Sequence, residues 1–157
     1  YFLPESQLDR FMMRLRIGYP DRGTERRILQ ERPALTRLPE LEPVMTTDDV
    51  LALQQQVLAV RMDDEIQEYI LQIAEATRRS DELKIGLSPR GTLALARAAR
   101  ARALLAGRDY VEPDDAKTLA ACVCAHRLVT RRLTQDGSGS ASEDLFLQLL
   151  DTIPVPQ

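Results

Sequence analysis

Between Ser88 and Gly107 the chain reads SPRGTLALARAARARALLAG, and one long helix is the conformation that suits every part of it. Ser88 offers a hydroxyl to the unpaired amides of a first turn. Pro89 sits where a missing N–H costs nothing, and Gly107 supplies the stop. Alanine fills so much of the segment that a neighbouring helix can come close. Whatever else the chain does, it builds a packed helical layer around this element.

Other segments carry the same grammar. TTDDVLALQQQVLAV opens on Thr46 or Thr47 as a cap, with two acids in its first turn. DDEIQEYILQIAEATRRS places Ile66, Tyr69, Ile70, Ile73 and Ala74 on one stripe, with acids early and Arg78 and Arg79 late. EPDDAKTLAACVCAHRLV again starts with a proline, Pro113, followed by acids. DRGTERRILQER is a shorter helix that must end before Pro33. SASEDLFLQLL has the Ser140–Glu143 spacing of a capping box, and Leu145, Phe146, Leu149 and Leu150 give it a face with which to dock. Pro33, Pro39 and Pro43 mark an extended loop over 33–45, and TQDGSGSA reads as a flexible linker. The front differs. LPESQLDRF predicts one helical turn over 4–10. In MMRLRIGYP, Met13, Leu15 and Ile17 alternate with Arg14 and Arg16, the period of a strand with one wet face, stopped by Gly18 and Pro20. The fold class is therefore all-α, a helical bundle preceded by a helix turn and a strand.

At 157 residues the chain can hold one compact domain and some tail. A net charge of −3 and a pI near 5.3 argue against a nucleic-acid partner. No apolar run approaches the ~20 residues of a membrane span, and no signal peptide shows, so a cytoplasmic protein is expected. The chain opens on Tyr1 rather than Met and reads as a cut inside a longer protein. Nearly all its cations are arginine, with Lys84 and Lys117 the two exceptions. Cys122 and Cys124 point to different sides of a helix and are expected as two reduced, buried thiols.

The residues for self-sufficient catalysis are missing. One histidine, His126, makes no zinc cluster, and no metal site is expected. The acid pairs 48–49, 63–64 and 114–115 fall at helix starts, where they satisfy amides and dipole. Gly86-Leu-Ser-Pro-Arg-Gly91 has the spacing of a phosphate loop, but Thr92 stands where lysine is required and Pro89 removes an amide donor. On composition alone Arg10 could be a surface ion-pair partner of Asp9 or Glu5. Arg90 could be a surface cation at an unfavourable helix N-terminus, and His126 and Arg127 cations that oppose a helix dipole.

LPESQLDRF with IGYP, then GLSPRGTLALARAARARALLAGRDYVEPDDAKTLA, HRL and IPVP together resemble the C-terminal part of the MoxR-type AAA+ ATPases, relatives of the ATPase subunit of magnesium chelatase. The resemblance spans most of the chain and is weakest at 33–60 and 130–142. It implies that residues 1–20 close the α/β ATPase core, with Gly18, Tyr19 and Pro20 as hinge. Residues 21–132 would form the helical lid, and 133–157 a linker and a helix docked on it. The Walker motifs and the first sensor would lie upstream of Tyr1. Arg10 matches the arginine finger, which acts in trans on a neighbour's ATP, where a planar, permanent charge offsets the charge of the leaving γ-phosphoryl. Arg90 matches the second sensor, at a helix start that already favours phosphate. ATP and Mg²⁺ are implied for the parent protein and no cofactor for this stretch alone. A homo-oligomeric ring, a hexamer, is implied, with a von Willebrand A domain partner and a chaperone-like role in maturing or metallating protein complexes. A different class competes: a stand-alone helical module that binds protein or DNA. A phosphate loop encoded 150–200 residues upstream of Tyr1 would exclude it.

Overall fold

The computed structural model of the chain describes residues 4–31, 38–131 and 140–156. Seven α-helices are found among the described residues: α1 Glu5–Leu8, α2 Arg22–Glu31, α3 Thr47–Ala59, α4 Asp64–Arg79, α5 Pro89–Leu105, α6 Pro113–Cys124 and α7 Ser140–Asp151. Short 3-10 turns cover Leu38–Glu40 and Ala125–Arg127, and two short strands are β1 Leu83–Ile85 and β2 Val129–Thr130. The all-α expectation holds. Contacts divide the chain into two units, one of residues 1–14 with 55–157 and one of residues 15–54.

The first unit has a single core. The stripe read on α4 is buried as expected, with Tyr69 at 1% exposure and Ile73 at 0%. Leu95, Ala98, Ala99 and Ala103 of α5, Ala116, Ala120 and Val123 of α6, and Phe146 and Leu150 of α7 complete it. α5 and α6 meet along alanines, which lets the two backbones approach closely. The docking face expected for α7 is the one used, with Leu145 and Leu149 packed at its margin. Cys124 is buried, which pushes its thiol up to about 12, and Cys122 is half-buried; both are free.

Two features escaped the sequence reading. Leu83 pairs with Thr130 and Ile85 with Val129 in an antiparallel ladder too short to show a period. Arg61 and Tyr110 form a parallel bridge, in which the Arg61 amide donates to the Asp109 carbonyl at 2.8 Å and the Val111 amide to the Arg61 carbonyl at 3.0 Å. Conversely, the strand expected from Met13, Leu15 and Ile17 is not formed; residues 13–20 run without regular structure. Alternation specifies a wet and a dry face but supplies no neighbour, and an unpaired strand gains too little to persist.

The second unit is held by local capping. Asp21 accepts from the amides of Gly23 and Thr24, at 2.8 and 3.1 Å, and so starts α2. Thr46, the cap of α3, accepts from the Asp49 amide at 3.2 Å while the Asp49 carboxylate accepts from the Thr46 amide at 2.8 Å, a reciprocal box. Gly18 takes a φ of 73°, a left-handed conformation that suits glycine. Residues 32–37 of the proline-rich loop, residues 132–139 of the linker and the Ser140 side chain of the expected capping box lie outside the described residues.

Candidate functional site

The helical turn α1 and the start of α5 come together. The Pro4 carbonyl accepts from the Gln7 and Leu8 amides, and the turn closes with the Arg10 and Phe11 amides donating to Gln7 and Leu8. At α5 the expected cap is present: Ser88 Oγ accepts from the Gly91 amide at 3.1 Å, with Pro89 next in line. Ser88 Oγ also donates to the Asp9 carboxylate, at 3.0 and 3.2 Å to its two oxygens. Asp9 is therefore engaged, and its neighbour Arg10 is left over an open recess of about 470 Å³.

Arg10, Met12, Arg90, Leu93 and Arg97 line that recess, with Arg127 beside them. Arg90, Leu93 and Arg97 stand at i, i+3 and i+7 of α5 and so share one face. The structure thus brings the two sequence-predicted residues, Arg10 and Arg90, to one place. It adds Arg97, which the sequence reading missed; the seven-residue spacing from Arg90 was the signal. The side chains of Arg10, Arg90 and Arg97 make no hydrogen bond or ion pair with another described residue. Three permanent cations facing one opening without a carboxylate between them favour an anion with several oxygens, such as a phosphate chain.

Arg127 plays a different part. Its side chain is 2% exposed. Nε donates to Asp9 Oδ1 at 3.2 Å, Nη2 to the Phe11 carbonyl at 2.6 Å and Nη1 to the Val123 carbonyl at 2.6 Å. Burial lowers its pKa, and the Asp9 charge opposes that. His126 Nε2 lies 3.1 Å from the Phe11 carbonyl, while its Nδ1 is buried without a partner. Burial leads the causes that push the imidazole below its usual 6.5. Arg127 does oppose the α6 dipole as expected, through the Val123 carbonyl, but it is also a buried anchor for Asp9 and Phe11, whereas the reading of His126 as a cation is corrected: burial holds it toward the neutral ring.

The other motifs have packing explanations. A Cβ on Gly86 would stand 2.8 Å from the Arg78 Cα, and one on Gly91 would collide with Leu87 and lie 3.0 Å from Arg127 Cδ. The glycine spacing that mimics a phosphate loop therefore serves packing: Gly86 admits the backbone of Arg78 and Thr77, and Gly91 admits the Leu87 and Arg127 side chains. Asp115 is fully buried rather than merely a helix-start acid. Arg108 binds it with both Nη atoms, at 2.8 and 2.7 Å, Arg102 Nη1 at 2.8 Å and the Glu112 amide at 2.8 Å. Burial alone would raise its pKa, but hydrogen bonds from Arg108, the Glu112 amide and Arg102 outweigh it and hold the carboxyl below 3.8. Among the described residues no group of three His, Cys, Asp or Glu could hold a metal, and no helix is long and apolar enough to cross a membrane.

Residues 75–145 match the sequence model of the AAA lid domain. The chain is 40% identical to the uncharacterised protein YeaC of Bacillus subtilis, over 99% of this chain and 48% of that protein. It is 34% identical to the chaperone MoxR1 of Mycobacterium tuberculosis, over 100% of this chain and 43% of that protein, and 27% identical to protein MoxR of Methylorubrum extorquens, over 98% and 50%. It spans about half the length of these curated relatives. A crystal structure from Cytophaga hutchinsonii superposes with a TM-score of 0.82 at 24% identity, over all of this chain and 50% of that one, a likeness of fold. Helix order, the capped SPR helix and these relatives agree: the chain carries an AAA lid domain and is similar over its length to the C-terminal part of the MoxR-type proteins.

Proposed function

We propose that this lid works in a protein that hydrolyses ATP in a homo-oligomeric ring, a hexamer, in the cytoplasm. Its output would be chaperone-like maturation of protein complexes or insertion of their metal cofactors, with a von Willebrand A domain protein as partner. The observation that carries the proposal is the recess where Arg10, Arg90 and Arg97 stand without an anionic partner among the described residues. That charge pattern fits a polyphosphate. Mg²⁺ would be held by residues other than those described.

In this reading Arg90 contacts the γ-phosphate of its own subunit's ATP, so that nucleotide state and lid angle are linked. Arg10 approaches the ATP of the adjacent subunit and stabilises the charge that develops as the phosphoryl leaves; such fingers are worth roughly 10³–10⁵ in rate. A helical module that binds protein or DNA is the rival. Net charge −3 disfavours its DNA form.

The test uses the full-length protein. Arg90→Ala should slow hydrolysis and Arg10→Ala nearly abolish it. Mixing Arg10→Ala subunits with subunits that lack the phosphate-loop lysine should restore part of the activity at mixed interfaces. Mixed rings that form but stay inactive would refute the trans role of Arg10. A full-length protein without ATPase activity would refute the whole reading.

A further inference from the structure

Arg127 joins three elements that no backbone ladder connects. Its guanidinium reaches the turn that carries Arg10, through Asp9 Oδ1 and the Phe11 carbonyl, and the end of α6, through the Val123 carbonyl. Asp9 in turn accepts from Ser88, the cap of the helix that carries Arg90. The aliphatic stem of Arg127 lies against Gly91, in the first turn of α5, where a Cβ would stand 3.0 Å from its Cδ. One further backbone bond, from the Arg14 amide to the Cys122 carbonyl at 2.8 Å, fixes the same stretch to α6.

An arginine buried to this degree is expensive unless its donors are used, and here three directions of one planar fork are used at once. Its acceptors Asp9 and the Phe11 carbonyl flank Arg10, and the Met12 carbonyl, at 3.5 Å, lies one residue on. The Val123 carbonyl belongs to the lid. We infer that Arg127 is a positioning residue: it fixes Arg10 relative to the helix that bears Arg90, so that a shift of α5 carries Arg10 with it. The inference rests on the ATPase reading for its consequence in catalysis. The anchoring itself stands on the contacts alone.

The experiment uses the full-length protein with Arg127→Lys and, separately, Asp9→Asn. Lysine keeps the stem and the charge but cannot serve all of these acceptors, and asparagine keeps the size of Asp9 without its charge. Amide exchange over residues 10–14 should quicken at least tenfold in both variants, with α5 and α6 unchanged. Unchanged exchange at 10–14 would overturn the anchoring, whether or not the protein hydrolyses ATP. Loss of protection throughout α5 and α6 in both variants would also overturn it, since Arg127 would then be a general core residue. In the ATPase assay Arg127→Lys should lower kcat at least tenfold, with KM changed less than threefold. Combined with Arg10→Lys, it should add little further loss. Losses that multiply would show that Arg127 does not act through Arg10.

Discussion

Ser88, the cap of the helix that carries Arg90, donates its hydroxyl hydrogen to Asp9, the residue before Arg10, at 3.0 Å. The two arginines that the sequence singles out thus lie close in the chain to the two ends of one hydrogen-bonded pair, although 79 positions separate Asp9 from Ser88. A cap ordinarily serves its own helix. This one also registers the front of the chain on the lid.

The Asp115 cluster predicts a large and local stability effect. Asp115→Asn leaves Arg102 and Arg108 facing a neutral amide in a buried site, and unfolding in urea should show a loss of about 3 kcal/mol. Asp114, whose side chain is 69% exposed and which meets Arg102 at 3.0 Å, should lose less than about 1 kcal/mol as Asp114→Asn.

The alanine seam predicts that larger residues are punished. Ala99 is fully buried between helices whose backbones lie close. Ala99→Leu should cost about 1–3 kcal/mol in denaturant unfolding, because the helices must separate to admit it. A variant as stable as the parent would mean that the seam has room.

Acid should weaken the fold through His126. Burial keeps its folded pKa below 6.5, so the unfolded chain takes up a proton that the folded chain resists. The stability it contributes is complete above pH 6.5 and declines as pH falls from 6.5 through the folded value. Thermal midpoints at pH 7.5, 6.5 and 5.5 should fall more steeply for the parent than for His126→Gln. Parallel slopes would refute this.

Two glycines should respond to alanine for different reasons. Gly86→Ala drives a methyl against the backbone of Arg78, and about 1–3 kcal/mol should be lost in urea unfolding. Gly107 has open space around it but a φ of 77°, so Gly107→Ala should cost about 1–2 kcal/mol from backbone strain alone. The first loss comes from backbone atoms of Arg78 and Thr77 that no side-chain trimming can move, the second from the torsion of Gly107 itself.

What could be read in advance follows from how local each signal is. Caps, proline placement and the 3.6-residue stripe act within a few residues, so Ser88, Pro89, Pro113 and the Ile66–Ala74 stripe were legible. Arg10 and Arg90 were legible through the resemblance, since nothing in composition distinguishes them from other surface arginines. The β1–β2 ladder was hidden because two or three residues carry no period. Arg127 was read only in part: its place at the end of α6 was visible, while Asp9 and the Phe11 carbonyl lie more than a hundred positions away. Asp115 was half read: its place at a helix start was visible, its two arginine partners were not. The alternation at Met13–Ile17 misled for the opposite reason, as a local pattern whose outcome depends on a non-local neighbour.

The long helix α5 is also a lever. Its 17 residues extend about 25 Å at 1.5 Å per residue, with the Arg90 recess at one end and Arg102, on the Asp115 cluster, near the other. Tilting such a rod by 5° about its Ser88 end would carry Leu105 about 2 Å, given that length. An anion that draws Arg90 by less than a bond length can therefore be felt as a displacement at the far rim of the lid. That rim, more than the recess, is the place to look for motion.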